Sequence, residues 1–189
     1  MEKKKIILIG PAFPLRGGIA DSNHSLALAL QQLGHQVTML SFSLQYPSFL
    51  FPGKSQFDFN GVNPSVEIHT AINSINPLSW IKTAWWIRKQ KPDLLITRFW
   101  LPFMGAALGS ILKLSGLKSK IPLIALCDNV IPHEKRIGDK SLTSYFLKAN
   151  NSFLVMSKSV GKDISSFIES PKINFHPQII LSLFAIKIF

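Results

Sequence analysis

Unbroken apolar runs of three to five residues recur at positions 6–9, 94–96, 123–127 and 153–156, and each is followed by a stretch with helical features. Runs that do not alternate suit strands covered on both faces, hence a parallel sheet with helices on either side. Two further strands are predicted at 36–43 and 65–69. The first helix is predicted to begin near Asp21 or Ser22, to turn Leu26, Leu30 and Leu33 inward, and to close at Gly34, which tolerates the left-handed backbone after a helix. The expectation is a six-stranded, doubly wound α/β domain with a mostly parallel, Rossmann-like sheet.

Two stretches break this rhythm. The connection 44–61 holds Pro47, Pro52, Gly53, Asn60 and Gly61, and loops longer than about 12–15 residues often serve as lids or binding loops. Residues 178–189 are almost wholly apolar, carry no turn signal and end on a hydrophobe. The expected division is therefore a domain over 1–177 and an atypical tail over 178–189, the product of a frameshift or early stop. No internal repeat, low-complexity segment or interdomain linker is evident.

Composition narrows the class. With 189 residues, 47% of them hydrophobic, the chain can bury a substantial core. A lone cysteine, Cys127, cannot form an internal disulfide and reads as a buried strand residue. Lys3, Lys4 and Lys5 precede an apolar run of only four residues, short of the roughly 7–15 that a signal peptide needs. The apolar stretch 99–117 is interrupted by Pro102, Gly105, Gly109, Lys113 and Gly116, which suits a core helix better than the ~20 clean residues of a membrane span. A cytoplasmic protein is expected.

The net charge of +11 is unevenly spread, because residues 70–127 hold eight bases against one acid, Asp93. Such a patch attracts phosphate groups, acidic lipid head groups or nucleic acid, or is simply a solvated face. The predicted helix over 78–91 sets Trp80, Trp85 and Trp86 among Lys82, Arg88, Lys89 and Lys91. Ile81, Ala84, Trp85 and Ile87 are expected to face the core, with Trp86 outside beside Lys82 and Lys89. An exposed tryptophan between cations is what a peripheral membrane helix presents; packing of Trp86 on a neighbouring helix is the alternative.

In a doubly wound fold, ligands sit beyond the carboxyl ends of the strands. The loop after the first strand contains Arg16, Gly17 and Gly18 directly before a helix. Two glycines let a ligand approach the backbone, and the helix start offers free amides and a positive dipole end, a combination suited to a diphosphate. A glycine pair before a helix is equally a tight turn. Neither the phosphate cradle G-x-x-x-x-G-K-[ST] nor the dinucleotide fingerprint G-x-G-x-x-G is present, which argues against ATPase and dehydrogenase readings. After the fifth strand, Asp128, Asn129, His133 and Glu134 make the densest polar cluster, placed for a general base or a sugar-hydroxyl acceptor. Turn-stabilising hydrogen bonds from Asp128 and Asn129, with His133 capping a helix, are the bland reading. The five histidines are scattered, so no metal site is expected.

Several stretches together resemble the amino-terminal domain of a family-four glycosyltransferase of the GT-B fold. They are Lys5-Ile6-Ile7-Leu8-Ile9-Gly10-Pro11 with Pro14-Leu15-Arg16-Gly17-Gly18-Ile19-Ala20, then Gln45-Tyr46-Pro47 and Leu50-Phe51-Pro52-Gly53-Lys54. Asp128-Asn129-Val130-Ile131-Pro132-His133-Glu134 and Phe153-Leu154-Val155-Met156-Ser157, followed by Val160 and Asp163, continue the pattern. The resemblance implies transfer of a sugar from a nucleotide-sugar to a glycan or lipid-linked acceptor with retention of configuration, without a metal or other cofactor. It implies an acceptor side formed here, with Tyr46 and Asn129 among its residues, and Arg16, Gly17 and Gly18 meeting the donor diphosphate. Asp128, His133 and Glu134 are the catalytic candidates, although many relatives place a histidine where this chain has Asp128. The nucleotide would be held by a carboxyl-terminal Rossmann-like domain, expected to be missing from this chain, leaving it inactive alone. Partners are then a nucleotide-sugar, an acceptor and an anionic membrane surface met by Lys82, Trp86 and Lys89 on the inner face of the membrane, with no nucleic acid. A stand-alone, non-catalytic acceptor-binding or membrane-surface module is the competing reading.

Overall fold

The computed structural model describes residues 2–47, 56–57, 65–132, 134 and 136–176. Its frame is one parallel sheet of seven strands: β1 (Lys5–Ile9), β2 (Gln36–Leu44), β3 (Glu67–Asn73), β4 (Leu94–Phe99), β5 (Leu123–Cys127), β6 (Ser152–Val155) and β7 (Ile173–Phe175). They are ordered β3-β2-β1-β4-β5-β6-β7, and every neighbouring pair is parallel. The helices are α1 (Gly18–Gln32), α2 (Pro77–Gln90), α3 (Gly105–Ser115, entered through a 3-10 turn at Pro102–Met104), α4 (Asp139–Leu147) and α5 (Lys158–Ser165).

Right-handed crossovers decide which face each helix covers. The connection from β1 to β2 moves one way along the sheet, and those from β3 onward move the other. Accordingly, Leu26, Ala27 and Leu30 of α1 pack with Ile6, Leu8 and Met39 on one face. Residues of α2 to α5, among them Ile87, Leu108, Phe146 and Ile164, pack with Ile7, Ile9 and Leu95 on the other. Alternate residues of β1 are thus buried on opposite sides, which is why the run 6–9 has no polar position.

The doubly wound α/β reading holds, with a seventh strand added. Strand β7 has three residues just after Pro171 and lies at the sheet edge, so it carries no continuous apolar signal. Helix α1 starts at Gly18, ahead of the expected Asp21 or Ser22, and Gly34 follows it with φ 90°. The strand expected at 65–69 runs over Glu67–Asn73. The core helix expected within 99–117 is α3, pressed onto α4 through glycines. A Cβ on Gly109 would lie 2.7 Å from the Tyr145 ring, and one on Gly105 would strike the Leu142 carbonyl. Among the described residues, no helix is long and apolar enough to cross a membrane. The tail 178–189 and most of the connection 44–61 lie outside the described residues.

Candidate functional site

The strand order reverses between β1 and β4, so a crevice opens beyond their carboxyl ends. One wall is the loop from Gly10 to Gly18. Gly17, with φ 115° and ψ 162°, is the residue before α1, and no side chain caps that helix. This backbone conformation belongs almost entirely to glycine. Among the described residues, nothing lies within 4 Å of a Cβ built on Gly17 or Gly18, and both are exposed together with Arg16. The first amides of a fifteen-residue helix therefore meet no side-chain cap among the described residues, at its positive dipole end. The loop is pinned from outside, because the Arg16 amide donates to the Gln56 carbonyl at 3.1 Å and Leu15 bridges to Phe57.

The floor is a buried polar hub that sequence reading did not find. Arg98, on β4, is 2% exposed. Its Nε and Nη2 donate to the two carboxylate oxygens of Asp128, each at 2.5 Å. Nη1 reaches Ser22 Oγ at 3.1 Å and Asn23 Oδ1 at 3.4 Å in the first turns of α1. Asn23 is fully buried and donates through Nδ2 to the Pro11 carbonyl. A Cβ on Gly10 would lie 2.5 Å from that Nδ2, so glycine there makes room for the hub. One guanidinium thus ties together β4, the start of α1 and the end of β5. The signal available beforehand was a lone arginine closing an apolar strand, because a buried charge requires partners.

The predicted acceptor residues flank this hub. Tyr46 accepts a 2.6 Å hydrogen bond at its hydroxyl from Trp100 Nε1, and Trp100 meets Phe42 edge to face. Gln56 clamps the Tyr46 backbone with bonds of 3.1 and 2.8 Å. Trp100, half-buried just beyond β4, is a second residue that sequence reading missed. Asn129 Oδ1 accepts from the Ile131 amide at 3.2 Å, the turn role weighed above. Glu134 is exposed on the same loop, and His133 lies outside the described residues. Beside that loop is a cavity of about 300 Å³ whose lining includes Val130, Arg136, Lys140 and Phe167. Cys127 is buried and its thiol is pushed far above its ordinary range, chiefly by burial and then by Asp128, which fits the expected inert strand residue.

The basic helix is corrected by the structure. Trp86 is half-buried and stacks on His69, with ring centroids 4.1 Å apart. Trp85 and Ile81, expected inside, are 58% and 54% exposed. The buried face of α2 is set by Thr83, Ala84 and Ile87. Trp86 flanks that face and lies against the edge strand, whereas Trp85 projects from the opposite side.

The model of the family described as Glycosyltransferase Family 4 matches residues 16–174, which contain Arg16, Gly17, Gly18, Arg98 and Asp128. No curated protein sequence matches the chain. Among solved structures, a sucrose-phosphate synthase chain from Thermosynechococcus elongatus superposes with a TM-score of 0.56 at 11% identity, covering 97% of this chain and 94% of that one. An alpha-glucosyltransferase in complex with UDP and DNA superposes with a TM-score of 0.59 at 13% identity, over 92% of this chain and 42% of that one. A putative UDP-N-acetylglucosamine 2-epimerase from Listeria monocytogenes gives a TM-score of 0.56 at 13% identity, over 92% and 45%. The chain thus spans less than half of the latter two, and the shared feature is the Rossmann-like fold of GT-B glycosyltransferases.

Proposed function

The chain belongs to glycosyltransferase family 4, and we propose that it forms the acceptor-side wall of a cleft in which a sugar passes from a nucleotide-sugar to a glycan or lipid-linked acceptor with retention of configuration. A second Rossmann-like domain would hold the nucleotide. The observation that carries this reading is the start of α1 at Gly17 and Gly18, exposed and without a side-chain cap among the described residues, at the point where the strand order reverses. Amides and a helix dipole fixed there would stabilise the charge that builds on a departing diphosphate, with no reorganisation at the moment of bond cleavage. The alpha-glucosyltransferase structures hold UDP or UDP-glucose, which supports a nucleotide-sugar as donor.

The roles of the polar residues follow from their partners. Asp128 has both oxygens on Arg98, so it is suited to orient a sugar hydroxyl through a remaining lone pair and ill suited to remove a proton. Glu134 and His133 stay as the proton-transfer candidates on the loop that follows. Tyr46 and Trp100 offer an aromatic wall to an acceptor, and Asn129 an amide. No metal or other cofactor enters this scheme. Amide NMR spectra of the full chain, titrated with UDP-glucose and separately with oligosaccharides, test it. Because the nucleotide itself would be held by the second domain, weak, fast-exchange diphosphate-dependent shifts at Gly17, Gly18 and Ile19 are expected at high donor concentration, beside saccharide-dependent shifts near Tyr46 and Asn129. Donor shifts that avoid the glycine loop would overturn the assignment.

A further inference from the structure

Helix α2 carries its apolar residues on the wrong side for a helix that meets only water. At 3.6 residues per turn, Leu78, Ile81 and Trp85 fall within about 60° of one another, on the side opposite the buried Thr83, Ala84 and Ile87. They are 67%, 54% and 58% exposed, and Ile75, just before the helix, is 53% exposed. A surface helix ordinarily reserves this side for charged residues.

The charges that α2 itself sets beside the stripe have one sign. Lys82 and Lys89 lie along one edge and Arg88 along the other, all exposed, while neither α2 nor the adjacent α3 contains an acidic residue. Lys89 Nζ sits 3.6 Å from the centre of the Trp85 ring, which sets a cation and an amphipathic aromatic at one level of the surface. Arg98, one of the bases in the same region, is turned inward to Asp128 and adds nothing to the patch.

We propose that this face of α2 docks on an anionic lipid surface, with Leu78, Ile81 and Trp85 entering the acyl boundary and Lys82, Arg88 and Lys89 at the head groups. Charge complementarity selects this occupant: an apolar stripe flanked on its own helix only by cations matches a bilayer with acidic head groups, and each cation near such a surface adds to binding. The placement also has a topological consequence. Because α2 begins where β3 ends, its first turn lies at the end of the sheet that carries Gly17, Tyr46 and Asp128. An acceptor anchored in the bilayer would then reach the crevice without leaving the membrane, a corollary that rests on the sugar-transfer reading, whereas the docking itself does not.

The test is co-sedimentation of the full chain with vesicles of phosphatidylcholine alone or with about one third phosphatidylglycerol, read together with tryptophan emission. Binding and a blue shift are expected only with the acidic vesicles, falling as salt is raised. Ile81→Ser with Trp85→Ser, and separately Lys82→Glu with Lys89→Glu, should each weaken vesicle affinity by about tenfold or more. These side chains are exposed, so circular-dichroism melting curves should superimpose on the parent's. Equal binding to neutral vesicles, or full binding by either double variant, would overturn the proposal. So would self-association abolished by Trp85→Ser without any vesicle binding, which would make the face a protein interface. No donor or acceptor is needed for the measurement, so it fails or succeeds independently of sugar transfer.

Discussion

Arg98 on β4 and Asp128 just beyond the neighbouring β5, thirty residues apart, meet side on, with both carboxylate oxygens engaged by one guanidinium. The two ends of the pair are unequally covered: the arginine side chain is 3% exposed and the aspartate 20%. Removing Asp128 therefore strands a charge that water cannot reach, while removing Arg98 leaves a carboxylate that water can. Asp128→Ala should cost roughly 3–5 kcal/mol in urea unfolding, the usual range for breaking a buried pair. Arg98→Met should cost clearly less. Equal losses, or a larger one for Arg98→Met, would contradict this account of the hub.

The contact between α3 and α4 yields a prediction that concerns packing alone. Gly105→Ala drives a methyl group into the Leu142 backbone carbonyl, which cannot rotate aside. Gly109→Ala presses on the Tyr145 ring, a side chain exposed enough to give way, and comes to 3.2 Å from the Phe146 Cα, a far milder backbone contact than at Gly105. Overpacking typically costs about 1–3 kcal/mol, so Gly105→Ala should sit at the upper end and Gly109→Ala at the lower. Helix propensity favours alanine at both positions by up to about 1 kcal/mol, so Gly109→Ala comes out near neutral in a thermal melt.

The hydrophobic rhythm was enough to expect the sheet class, because strands buried on both faces leave uninterrupted runs such as 123–127. It was not enough for β7, whose three residues gain their structure by pairing with β6. The glycine loop was legible for a local reason, since a glycine pair before a helix has few backbone interpretations. Arg98 was not legible: its role depends on Ser22, Asn23 and Asp128, which meet it only once three segments are assembled. The exchange of Trp85 and Trp86 has a different origin. Adjacent tryptophans on a helix differ by about 100° in direction, and the choice between them is made by the edge strand carrying His69, which no helical periodicity encodes.

His35 gives the fold an acid sensitivity. It is 5% exposed and accepts at Nδ1 from the Lys4 amide at 3.3 Å. Burial first, and the Lys4 charge second, hold its pKa below the ordinary 6.5. In the folded state the ring thus stays neutral where the unfolded chain has begun to take up a proton. Stability from this source is complete above about pH 6.5 and declines as the pH falls toward the lowered folded value. The melting temperature should drop between pH 7 and pH 5, and His35→Gln should flatten that slope. An unchanged slope in the variant would assign the acid sensitivity to other groups.

Gly17 and Gly18 are neighbours with opposite expectations, which separates the cost of a side chain to the fold from its cost to a ligand. Gly17 holds φ 115°, where any other residue is strained by about 1–3 kcal/mol, so Gly17→Ala should lower the melting temperature. Gly18 lies inside α1 with an ordinary backbone and open space where its Cβ would be, so Gly18→Ala should leave stability equal or slightly raised. The same open space is where a diphosphate would have to approach. Gly18→Val should therefore keep its fold, judged by circular dichroism, while the UDP-glucose shifts at Gly17 and Ile19 disappear from the amide spectrum. A Gly18→Val chain that retains those shifts would show that the ligand does not come to this face of the loop. Arg16→Ala, which removes an exposed charge and no backbone amide, should weaken the same shifts less than Gly18→Val does.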